Sequence, residues 1–77
     1  MDISKMKELL ELCAMVTRKT KADAFFYYSP FCIEIRIYER GFSENETSEA
    51  YAAYTKYDVE DVYRRAKKRL KELLGGI

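Results

Sequence analysis

Apolar residues from Ile3 to about Lys19 recur at helical spacing. Ile3, Met6, Leu10, Cys13 and Thr17 fall on one line, with Leu9, Leu12 and Val16 beside it. At about 100° per residue the apolar arc spans about 200°, wide for a surface helix. Asp2 and Ser4 are both competent N-caps, and Met15 falls outside the arc with Ser4, Glu8 and Lys19.

The pattern then changes period. Residues 22–28 and 31–39 are rich in aromatic and β-branched side chains, which predicts strands. In the second, Phe31, Ile33, Ile35 and Ile37 alternate with Cys32, Glu34, Arg36 and Tyr38, the mark of one dry and one wet face. The first run, Phe25-Phe26-Tyr27-Tyr28, is apolar on both faces, so the turn must orient it. Ser29-Pro30 is the only breaker between the runs. A tight hairpin there pairs Tyr28 with Phe31, Phe26 with Ile33 and Ala24 with Ile35 on an inner face. Phe25 and Tyr27 then lie outside with Glu34, Arg36 and Tyr38; a one-residue slip reverses this.

Arg40 to Glu49 reads as a loop, polar except for Phe42 after Gly41. Residues 50–57 mix Ala with Tyr and Thr, and a third strand is expected because Asp58 with Asp61 reads as a helix N-cap and acidic first turn. The last helix, about 59–74, is the clearest element. Val59, Val62, Tyr63, Ala66, Leu70, Leu73 and Leu74 share an arc of about 120° free of charge. Gly75-Gly76 ends it. The predicted architecture is α+β, one domain over 1–77. It is a two-layer α-β-β-β-α arrangement with both helices on one face of a three-stranded antiparallel sheet. The other sheet face is left uncovered.

Composition narrows the chemistry. At 77 residues and 48% hydrophobic, the chain forms one small core and is not a disordered tail. There is no His. Two Cys without an export signal read as reduced thiols of a cytoplasmic protein, and two thiols alone do not close a zinc shell. No membrane span, cofactor or metal site is expected. Acid–base or thiol catalysis would have only Glu34 beside Arg36, or Cys32 without an imidazole base, so no enzymatic role is expected.

Charge is balanced overall at +1 but not locally: residues 41–61 carry a net −5 and residues 64–71 a net +6. Arg64, Lys67, Lys68 and Lys71 cluster on one side of the last helix and are the candidate nucleic-acid contacts. The competing explanation is a solvated helix matched to its dipole, with Glu60–Arg64 and Asp61–Arg65 pairs. The helix-strand-strand-strand-helix order is similar to that of the double-stranded-RNA-binding domain, which implies reading of RNA shape and phosphates. That family places basic residues at the start of its last helix, where this chain has Asp58, Glu60 and Asp61.

The uncovered sheet face is the other candidate surface. Phe25, Tyr27, Arg36, Tyr38 and Tyr54 are residue types that anchor protein interfaces. Acidic Glu44, Glu46 and Glu49 would steer the contact toward a basic partner. The expectation is a small non-enzymatic protein-binding module acting by steric blocking. By size and composition it is analogous to phage or mobile-element accessory proteins that inhibit or modulate a host protein. Self-association through the same face is the second reading, and nucleic-acid binding by the last helix the alternative.

Overall fold

A computed structural model of the chain describes residues 1–42, 48–54 and 59–75. Its elements are α1 (Ile3–Lys19), β1 (Asp23–Tyr28), β2 (Cys32–Tyr38), β3 (Glu49–Tyr54) and α2 (Val59–Leu73). The strands form one antiparallel sheet in the order β1-β2-β3. Both helices lie on the same face, α1 over β1 and α2 over β3, in contact with each other. This is the α+β arrangement that the hydrophobic pattern predicts. The third strand expected at 50–57 is strand through Tyr54, and residues 55–57 lie outside the described residues, as does the Asp58 cap.

The core follows from the two periods meeting. Ile33, Ile35 and Ile37 of the central strand are buried beneath the helices, against Leu9, Leu12, Cys13 and Val16 of α1 and Val62, Ala66 and Leu70 of α2. The buried arc of α1 is narrower than its sequence suggests. Ile3 and Leu10 are 67% and 52% exposed, because the sheet and α2 together reach only the Leu9–Cys13 side. Asp2, not Ser4, caps α1, its Oδ1 accepting from the Lys5 N–H at 2.8 Å. Thr20 ends the helix: its N–H and its hydroxyl both donate to the Val16 carbonyl, at 3.0 and 2.7 Å.

The β1–β2 hairpin corrects the expected register by two residues. Tyr28 pairs with Ile33, Phe26 with Ile35 and Ala24 with Ile37. The turn is built on Pro30-Phe31, not Ser29-Pro30. Ser29 N–H donates to the Cys32 carbonyl at 2.9 Å, and Ser29 Oγ accepts from the Phe31 and Cys32 N–H groups at 3.2 and 3.1 Å. Proline supplies the fixed φ of the first turn position. Phe31 is therefore 77% exposed in the turn, and is not an inner-face residue. A shift of two keeps parity, so every other side chain stays on its expected face.

Ion pairs join the helices to each other and to the sheet. Lys5 of α1 meets Glu60 at 2.6 Å and Glu8 meets Lys67 at 3.0 Å. Tyr63 donates its hydroxyl proton to Glu8 and accepts from Lys67 at 3.1 Å. Arg69 forks onto Glu49 at 2.9–3.1 Å and reaches Glu39 at 3.3 Å. The expected Glu60–Arg64 pair is not formed. Glu60 turns to α1, and Arg64 approaches Asp61 at 3.3 Å, as Arg65 does at 3.5 Å.

Candidate functional site: the open face of the sheet

Pleating sends alternate side chains of each strand away from the helices. On β2 these are Cys32, Glu34, Arg36 and Tyr38; the register places Phe25 and Tyr27 beside Arg36 and Glu34, and Ala50, Ala52 and Tyr54 on the other flank. Neither helix covers this face.

One residue joins it from outside the strands. After β2 the chain turns back, with the Gly41 N–H donating to the Tyr38 carbonyl at 3.0 Å. Gly41 has φ +94°, a conformation that side-chain-bearing residues rarely adopt, and an added Cβ would stand 3.2 Å from the Lys21 carbonyl oxygen. The Phe42 N–H then donates to Asp23 Oδ2 at 2.7 Å. This lays the Phe42 ring against the sheet.

The result is a three-ring cluster in which every pair meets edge-to-face. Centroid distances are 5.6 Å for Phe25–Tyr38, 5.8 Å for Phe25–Phe42 and 5.2 Å for Tyr38–Phe42. Tyr27 stacks beyond Phe25 at 6.4 Å. Such contacts align ring edges with ring faces and are worth about 0.5–1.5 kcal/mol per pair beyond area burial. The cluster is ordered yet open, with Tyr27 53% and Phe42 60% exposed.

Beside the rings, Arg36 Nε donates to Glu34 Oε2 at 2.8 Å. This hydrogen bond to Glu34, chiefly, raises the Arg36 guanidinium above its ordinary range, so it stays charged. Tyr27, Glu34, Arg36 and Tyr38 line a shallow recess. Its charges cancel locally, while the remaining guanidinium N–H groups and the tyrosine hydroxyls can bond a partner.

The structure brings Phe25, Tyr27, Arg36 and Tyr38 together and sets Tyr54 apart. Tyr54 stands 70% exposed on the same face, at the corner beside Cys32. Glu49 points to the opposite face. There Arg69, chiefly, and then Tyr51 hydrogen-bond its carboxylate and hold it below the usual carboxylate range. Glu44 and Glu46 lie outside the described residues. Phe42 was not among the expected site residues. Its signal in the sequence is a lone aromatic directly after a glycine in a polar loop.

The basic side of α2 is less available than its sequence implies. Lys67 is held between Tyr63 and Glu8, and those hydrogen bonds, Tyr63 first, raise its pKa. Arg64 is 72% exposed while near Asp61. Lys68 and Lys71 make no ion pair with another described residue. Cys13 is buried on the inner side of α1, its thiol pushed up to about 11 by desolvation, and Cys32 is exposed on the open face. Among the described residues no cluster of three potential metal ligands occurs, and no helix is long and apolar enough to cross a membrane. No protein family, curated protein or solved structure matches the chain.

Proposed function

We propose that this chain is a non-enzymatic protein-binding module whose open sheet face docks on a partner protein and blocks it sterically. The observation that supports this reading is the preordered cluster of Phe25, Tyr38 and Phe42, extended by Tyr27 and flanked by Arg36. Rings already fixed by one another lose little rotamer freedom on binding, which is where much of the cost of association otherwise lies. Arg36, neutralised by Glu34, meets a partner without the desolvation cost of a lone charge. Glu44 and Glu46 follow Phe42 closely in sequence and are acidic, so the partner is expected to carry a basic surface.

The test is recovery of a partner from nuclease-treated lysate, followed by affinity measurement with purified components. Tyr38→Ala and Phe42→Ala should each weaken binding by more than about 1 kcal/mol, on the order of a hot spot. Arg64→Glu with Lys68→Glu should leave it unchanged. If binding instead falls steeply with salt, vanishes on nuclease treatment and depends on Arg64 and Lys68, the surface is a phosphate contact and this reading fails.

A further inference from the structure

The two edges of the sheet are treated differently. In the observed register the even-numbered residues of β2 bond to β1 and the odd-numbered ones to β3, as the Ser29–Cys32 bond fixes. The backbone groups of Ala24, Phe26 and Tyr28 on β1, and of Ala50, Ala52 and Tyr54 on β3, therefore point away from the sheet. On β1 this edge is guarded at its Ala24 end, where α1 reaches it. Thr17 of α1 accepts from the Ala24 N–H at 3.0 Å and donates to its carbonyl at 3.4 Å. Pro30 follows shortly after. On β3 the outward N–H and C=O groups of Ala50, Ala52 and Tyr54 have no hydrogen bond among the described residues, and these three residues are exposed. No charge or proline interrupts Ala50-Tyr51-Ala52-Ala53-Tyr54. An edge so left is a template for another strand.

The sequence of that edge says which strand. Read against itself in antiparallel sense about Ala52, it sets Ala50 opposite Tyr54, Tyr51 opposite Ala53, and Ala52 opposite Ala52 of a second copy. Each ring thus meets a methyl group on both faces of the sheet, and no two rings collide. The same axis matches charge on the helix above. Arg65 lies over the Tyr51 ring at 5.4 Å, and Arg69 bonds Glu49, so α2 runs antiparallel to β3. Four helical residues advance about 6 Å and two strand residues about 6.6 Å. Asp61 therefore stands level with Ala53, opposite the level at which Arg65 stands on a second copy.

We propose that the chain forms a two-fold dimer by antiparallel β3–β3 pairing centred on Ala52. This joins two three-stranded sheets into one, with both open faces on the same side. The proposal is independent of what the open face binds, and in the dimer that face is presented twice.

Sedimentation equilibrium over a concentration series tests it. The mass should rise from that of one chain to that of two. Ala52→Lys and Ala52→Glu each set like charges together at the axis, and should weaken association at least about 10-fold while leaving the monomer's circular dichroism intact. An equimolar mixture of the two variants should associate again, which only a contact placing this residue against itself explains. The Tyr38→Ala variant should dimerise like the wild type. A wild-type chain that stays monomeric to about 500 µM overturns the proposal. So does a dimer indifferent to both Ala52 variants, or one lost on Tyr38→Ala, which would move the self-contact to the open face.

Discussion

The inner and outer faces of this sheet are built from the same strands, one residue out of phase, and they solve opposite problems. The inner row Ile33, Ile35 and Ile37 is sealed by two helices and is 0–1% exposed. The outer row must hold rings in water without a layer above them. It does so laterally, by edge-to-face contacts and a Glu34–Arg36 pair, with Phe42 brought in as a third ring. Burial fixes the first face. Mutual contact fixes the second, at lower energy but with its surface still available.

That contrast is sharpest in stability. Ile35→Ala removes a fully buried branched side chain and should cost about 2–4 kcal/mol in urea unfolding. Phe25→Ala, which removes a part-buried ring held by its neighbours on the open face, should cost about 1–2 kcal/mol. Equal losses would mean that the outer rings form a second core, not a displayed surface.

Gly41→Ala comes next. It forces a side chain into a left-handed conformation against the Lys21 carbonyl, and should cost about 1–2 kcal/mol. Phe42 should loosen from the sheet, visible as loss of ring-current shifts on Phe25 and Tyr38. Unchanged shifts would show that Phe25 and Tyr38 hold Phe42 without the turn.

The smallest effect is electrostatic and belongs to the inner side. Glu49 is bound to Arg69, and Glu8 to Tyr63 and Lys67; hydrogen bonding holds both carboxyls below their ordinary range. A depressed carboxyl contributes fully above the unfolded value of about 4.3 and loses its contribution as pH falls through the lower folded value. Stability should therefore be flat from neutral pH to about 5 and decline below about 4. Glu49→Gln should reduce the decline by less than about 1 kcal/mol, since solvent screens this part-exposed pair. A decline that begins near pH 6 would point to some other group.

Much of the scaffold is legible in the chain because two periods are clean: the alternation through β2 and the narrow apolar arc of α2. The open face is legible for the same reason, since parity alone sends Phe25, Tyr27, Arg36 and Tyr38 to one side. The hairpin register is not, because Pro30 fits either of two turn positions and both preserve parity. Phe42 escapes because its placement depends on a backbone reversal at Gly41 and a bond to Asp23, nineteen positions away. Glu49, grouped by sequence with Glu44 and Glu46, belongs instead to Arg69. Which flank of a helix meets which strand is a tertiary fact that local spacing does not carry.

The two thiols sit on opposite sides of the sheet, one in the sealed layer and one in the open. A labelling reagent therefore meets a chain with a fast site at Cys32 and a silent one at Cys13. Cys13 reacts only when α1 lifts from the strands beneath it. The ratio of the two alkylation rates is an internal clock for that opening, and it needs no engineered reporter.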